Sequence, residues 1–197
     1  MPLDDGASLH GDALRVLRAW AAPTPEQELL RARYVRHLER PASTDAGPGR
    51  GVFRDCVPDH LTASVLVLSH DGASVLLTLH GKAERWFQLG GHLEAGDATL
   101  AAAAEREARE ESGLSLVVDP VPVHLDEHVV PFCRPGTGDA ARPVHHLDVR
   151  FVAVADAGAE PVVSDESLDV RWWPSDSLPT PDLSEPVALA RTRSGAA

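Results

Sequence analysis

Between Gly90 and Leu114 the chain carries two adjacent glycines, a short acidic loop and a run rich in Ala, Glu and Arg that closes on Gly113. The glycines read as a turn. Asp97 reads as an N-cap and Gly113 as the residue that ends the helix, so one helix is predicted over Ala98 to Ser112. Leu100, Ala101, Ala104 and Ala108 recur at helical spacing and give a narrow apolar stripe of mostly small side chains. Such a helix can lie close to whatever supports it. Its other face gathers Glu107, Glu110 and Glu111 at i,i+3 and i,i+4 spacing. Like charges at that spacing repel, so the helix gains nothing from them by itself. Clustered carboxylate oxygens are the ligands that hard divalent cations prefer. A Mg2+ or Mn2+ site on Glu107, Glu110 and Glu111 is therefore expected, against the plain reading of a solvated acidic face.

The positions of the flanking glycines favour the metal. The stretch resembles the Nudix box, the signature of the Nudix hydrolases, G-x5-E-x7-R-E-U-x-E-E-x-G-U with U apolar. Gly91 takes the first glycine, and Arg106, Glu107, Ala108, Glu110, Glu111, Gly113 and Leu114 take the second half without a mismatch. Two departures stand out. Asp97 replaces the first Glu, and eight residues rather than seven separate it from Arg106. The extra residue is expected at the helix entrance, where it leaves the spacing of the three glutamates intact.

Around the box the chain divides into three parts. Residues 1–50 are predicted to form a helical hairpin. Its first helix spans Leu9 to Trp20. Its second is capped by Thr24, opened by Pro25 and runs to about Arg40, burying Leu29, Leu30, Tyr34 and Leu38 and exposing Arg31, Arg33 and Arg36. This hairpin reads as a packing lid or a dimerisation element, so a homodimer is admitted; its arginines could alternatively approach substrate phosphates. Residues 51–180 hold the strands: Leu61 to Ser69, an Asp71-Gly72 turn, Ser74 to Leu79, then Leu114–Val118, Val121–Val130, Leu147–Val154 and Leu168–Trp173. Residues 181–197 hold a closing helix and a frayed tail. Strands flanking a helix, with another helix late, read as α+β. The resemblance implies the Nudix fold, an α/β/α sandwich with a mixed β-sheet, for about residues 52–180.

The resemblance also implies roles. Glu107 is a metal ligand and candidate base, Glu110 and Glu111 hold metal, Arg106 orients Glu107, and the Gly90 carbonyl completes the coordination. Glu166, ahead of a late strand ending in Trp172-Trp173, matches the order of a glutamate that reaches back to the metal in this family, so it is a second candidate base. Lys82 and Arg85, just upstream of the box, are candidate phosphate contacts, against the reading of a solvated loop. The implied reaction is Mg2+- or Mn2+-dependent hydrolysis of a nucleoside diphosphate derivative: a nucleotide, a nucleotide sugar or ADP-ribose. Two other classes stay open: a binding or regulatory module without turnover, and an isopentenyl-diphosphate isomerase. The intact Arg106-Glu107 and Glu110-Glu111 pairs argue against the first, and the absence of a Cys-bearing catalytic segment argues against the second.

Composition narrows the partners. Across 197 residues the formal net charge is −12, which disfavours nucleic acid and anionic membranes by bulk electrostatics. An anionic small substrate stays compatible, because a bound cation supplies local positive charge. Cys56 and Cys133 stand far apart, so neither a zinc motif nor a disulfide framework is read from them. No apolar run spans a bilayer and the start lacks the pattern of a secretory leader, so the cytoplasm is the expected location. His124, His128, His145 and His146 could share one sheet face. Without supporting Cys or carboxylate spacing they read as polar strand positions near a cleft.

Overall fold

A computed structural model describes residues 8–40, 51–54, 59–81, 83–130, 144–164 and 167–196. Two helices, α1 (Leu9–Ala19) and α2 (Pro25–Leu38), precede the strands β1 (Asp59–Leu68), β2 (Ser74–His80), β3 (Arg85–Phe87) and β4 (Leu89–His92). Helix α3 (Leu100–Ser112) follows, then β5 (His124–Val129), β6 (His145–Val154), β7 (Ser167–Pro174), a 3-10 turn and α4 (Ser184–Ser194).

Strand β1 organises the sheet. One edge pairs in parallel with β6, from Asp59 opposite His145 to Leu68 opposite Val154. The other edge is shared: β4 pairs antiparallel from Thr62 to Val65, and β2 pairs antiparallel at Val67 and Leu68. β2 continues outward to β3 and β7, and β5 lines the far side of β6. The result is a mixed sheet with helices on both faces, an α+β fold. The Asp71-Gly72 turn forms as the sequence suggests, with Gly72 at φ +68° and its N–H on the Ser69 carbonyl at 2.8 Å.

Alternation along β1 assigns the two faces. Leu61, Ala63, Val65 and Val67 point to one core with Ala103, Ala104 and Ala108 of α3 and with Leu17 and Tyr34 of the amino-terminal hairpin. Leu66 and Leu68 point to the other core, where Leu183, Val187 and Ala190 cover Val75 and Leu77. The same second face carries His60, Thr62 and Ser64, which are buried and polar. Among the described residues no helix is long and apolar enough to cross a membrane.

The hairpin is joined to the domain by polar contacts as well as apolar ones. Gln27 pairs with both backbone groups of Leu125, donating to its carbonyl at 3.0 Å and accepting from its N–H at 2.7 Å. A side-chain amide thus satisfies part of the open edge of β5, a position that would otherwise invite strand addition. The Tyr34 hydroxyl donates to the Asp126 carbonyl at 2.7 Å. Asp12, buried in α1, accepts the Leu100 N–H at 2.8 Å and so contributes to the cap of α3.

Three sequence expectations change here. Leu29 is 72% exposed, because α2 presents Gln27, Tyr34 and Leu38 inward instead. Arg31 and Arg33 are half-buried, bound to Glu28 and to Glu127 with Asp59 respectively. Leu114–Val118 is not a strand: Leu116 and Val118 are buried, but only Val118 meets a ladder partner, Ala153. Its apolar alternation is satisfied by packing, with a backbone partner only at Val118.

Candidate active site

The two glycines lie in strand β4, not in a turn. Gly90 has φ +154°, and a Cβ there would collide with Ser64 on β1. A Cβ at Gly91 would stand 2.6 Å from a carboxylate oxygen of Glu107. Both positions therefore require hydrogen in place of a side chain, one for strand pairing and one to admit the glutamate.

Helix α3 begins later than the sequence suggests. Thr99, not Asp97, is its N-cap, accepting the Ala102 N–H at 3.0 Å. Asp97 is engaged elsewhere. Its two oxygens accept from Arg106 Nε at 3.0 Å and Nη2 at 3.1 Å, a fork-to-fork pair. Arg106 Nη1 donates to Glu107 at 2.8 Å and to Glu110 at 3.0 Å, and Nη2 also donates to the His92 carbonyl at 2.9 Å. These five contacts match the five N–H groups of a guanidinium. The Asp97 hydrogen bond, supported by Glu107, holds the Arg106 pKa above its ordinary value, so it stays charged. Glu111 accepts the Gly90 N–H at 2.9 Å. Gly113 closes the helix at φ +71° with its N–H on the Arg109 carbonyl.

The structure thus brings Gly90, Arg106, Glu107, Glu110 and Glu111 together at the junction of β4 and α3. Arg85 sits on β3, more than half exposed, 3.5 Å from Asp182 and above the Phe87 ring. Lys82 and Glu166 lie outside the described residues.

The family model described as NUDIX domain matches residues 58–191, more than half of the chain. The chain belongs to the Nudix family. Its enzyme class is that family's, the pyrophosphohydrolases acting on phosphoric anhydrides. Among solved structures it is similar to a NUDIX-family hydrolase from Clostridium perfringens, at 24% identity and TM-score 0.50, covering 66% of this chain and 97% of that one. It is similar to the E. coli dihydroneopterin triphosphate pyrophosphohydrolase at 19% identity and TM-score 0.52, covering 66% and 91%. It is also similar to the NUDIX domain of Shewanella oneidensis NrtR complexed with ADP ribose, at 21% identity and TM-score 0.51, covering 68% and 86%. At these identities the likeness is one of fold. No curated protein matches the chain.

Beside the Nudix helix, the polar face of the sheet holds a network that sequence reasoning missed. Asp148, 3% exposed, accepts from Thr62 Oγ1 at 2.9 Å, Ser64 Oγ at 2.7 Å, Gln88 Nε2 at 3.1 Å and Arg150 Nε at 3.1 Å. Arg150 also reaches Asp126 at 3.1 Å. The signal available was alternation: His124, Asp126 and His128 on β5 and His146, Asp148 and Arg150 on β6 are every second residue. His145 points away from this face to Asp59, at 2.9 Å, so the four histidines that could have shared a face do not, in keeping with the reading of polar strand positions. Instead His60 and His92 join His146, with ring centroids 4.8 to 5.2 Å apart.

Burial, reinforced by the Arg150 charge, lowers the His124 pKa to about 4, and burial also lowers that of His37. Both sit below the ordinary value of 6.5. Below that value the unfolded chain binds protons that the folded chain refuses. Their stabilisation is complete above pH about 6.5 and is lost as pH falls, at most about 1.4 kcal/mol per pH unit for each group. The thermal midpoint is expected to drop by several degrees between pH 7 and 5 at fixed ionic strength, with a shallower slope in His124→Gln. A flat profile would contradict this.

Proposed function

We propose that this Nudix enzyme hydrolyses the diphosphate linkage of a nucleoside diphosphate derivative in the cytoplasm, using a divalent cation held on helix α3. The supporting observation is Arg106, which binds Asp97, Glu107 and Glu110 at once while Glu111 takes the Gly90 N–H. Several carboxylates around one guanidinium leave an excess of anionic oxygen, and hard cations prefer oxygen ligands. The room left by Gly91 beside Glu107 is the second sign that the residues suit the ion. Glu107, Glu110, Glu111 and the Gly90 carbonyl would hold Mg2+ or Mn2+. When bound, such an ion neutralises the diphosphate oxygens and orients phosphorus for in-line attack.

The chain's own residues supply the rest. Arg106 holds the Glu107 carboxylate in one place and orientation. Glu107 or Glu166 accepts the proton of the attacking water; both assignments are carried. Lys82 and Arg85 contact substrate phosphate in this reading, so the double variant Lys82→Ala/Arg85→Ala is expected to raise KM severalfold; an unchanged KM would remove them from the site. Residues 51–180 form the hydrolase unit, residues 1–50 an extension that supports it, and residues 181–197 the closing helix and tail. Nucleotides, nucleotide sugars and ADP-ribose are the substrate candidates. Fold relatives include a dihydroneopterin triphosphate pyrophosphohydrolase and a domain complexed with ADP ribose.

A screen over a nucleotide panel with Mg2+ or Mn2+, coupled to a phosphatase and a pyrophosphatase that free phosphate from the monophosphate or pyrophosphate products, tests the proposal. Turnover of at least one diphosphate derivative, lost on chelation, is expected. Binding without turnover across the panel would instead favour a regulatory module. Titration calorimetry with Mg2+ isolates the ion site: equal heats for wild type and Glu111→Gln would sink it.

A further inference from the structure

We infer that His60, His92 and His146 form a binding site for one transition-metal cation of the zinc class, separate from the carboxylate site. Their ligand nitrogens all lie within 4.8 Å of one another. They come from three neighbouring strands, β1, β4 and β6. His60 stands directly opposite His146, and His92 stands opposite Thr62, the next position on the same face. A sheet holds such positions with little freedom, so the three imidazoles face each other before any ion arrives. His60 is fully buried, and His92 and His146 are half-buried.

The chemistry selects the ion. Three imidazoles with no carboxylate among them suit zinc, copper or nickel and give magnesium no oxygen ligand. Tetrahedral zinc with bonds near 2.1 Å needs nitrogens about 3.4 Å apart, so from pairs within 4.8 Å the rings would close by at most about 1.4 Å. Three protein ligands leave the fourth position to water or another donor. The neighbouring His128 lies 5.4 Å from His146, with its Nδ1 bonded to Asp126 at 2.7 Å; the bond favours the charged imidazolium, and the Asp126 carboxylate offsets that charge. Arg54, whose charge reaches His92 and His146, opposes a cation, but it is exposed and solvent screens it.

The site touches the catalytic region through the backbone. His92 follows Gly90 and Gly91 in β4, and its carbonyl accepts Arg106. A metal on His92 would therefore pin the strand that faces the glutamates. The inference does not depend on the hydrolase reading.

The test uses the full chain without a polyhistidine tag. The protein is stripped with chelator, equilibrated with Zn2+ in excess Mg2+ to occupy the carboxylates, desalted and assayed for bound zinc. About one equivalent is expected in wild type and in Glu110→Gln/Glu111→Gln, with at least a tenfold loss of affinity in His146→Ala and in the less buried His92→Ala. Co2+ in place of Zn2+ should give the intense visible absorption of a four-coordinate nitrogen site in wild type, which needs no variant to fold. Less than about a tenth of an equivalent in wild type, retention in both histidine variants, or the weak spectrum of six-coordinate Co2+ would each overturn the site.

Discussion

Replacing Glu107 by Gln is expected to lower kcat by two to four orders of magnitude while leaving the fold intact. The substitution keeps the shape of the side chain, so the space beside Gly91 stays filled. It removes a negative charge and puts an amide where a carboxylate oxygen accepts from Arg106 Nη1 at 2.8 Å. A group that serves both a cation and a proton transfer loses both functions at once, and general-base catalysis alone contributes roughly 10²–10⁴ in rate. Steady-state kinetics on the best substrate of the panel, with circular dichroism to verify folding, decides it. A loss under about tenfold would refute the assignment. The parallel variant Glu166→Gln separates the two candidate bases, because only the true base should abolish the dependence of kcat on a carboxylate-range pKa.

Asp148→Ala carries the largest expected cost in stability. The carboxylate is 4% exposed and takes hydrogen bonds from Thr62, Ser64, Gln88 and Arg150. Its removal leaves a buried guanidinium short of a partner and strands two hydroxyls and an amide at the same point. Breaking a buried ion pair from one side costs about 3–5 kcal/mol, more than the loss of any one neutral hydrogen bond of about 1 kcal/mol. Urea unfolding monitored by tryptophan fluorescence is expected to show a lower midpoint with an unchanged slope, the unfolding free energy falling by that amount. A destabilisation under about 1 kcal/mol would mean that water enters and the network is not buried as it stands. Asp148→Asn should fall between, since it keeps two acceptor lone pairs and loses the charge.

The amino-terminal hairpin shows where sequence reasoning stops short. The cap at Thr24 and the Pro25 start are local, and both form as the sequence predicts. Which side of α2 meets the domain is not local. Gln27, a polar residue that pattern reasoning sends to solvent, is 4% exposed because an unpaired edge of β5 is within its reach. Leu29 gives up its place in the core to that contact. Asp97 is a similar case. Its preference for an N-cap is real, but Arg106, nine residues on in the middle of α3, offers a charged, two-point partner, and Thr99 is available for the cap.

The box residues, their order and the helix that bears them were readable in the one-dimensional pattern, since capping, helix propensity and the i,i+3 and i,i+4 spacing act within a few residues. The strand character of the glycines, the reach of Asp97 to Arg106 and the meeting of His60, His92 and His146 were decided only by folding. Each depends on which strands become neighbours and in what register, and register is set by packing between segments far apart in the chain.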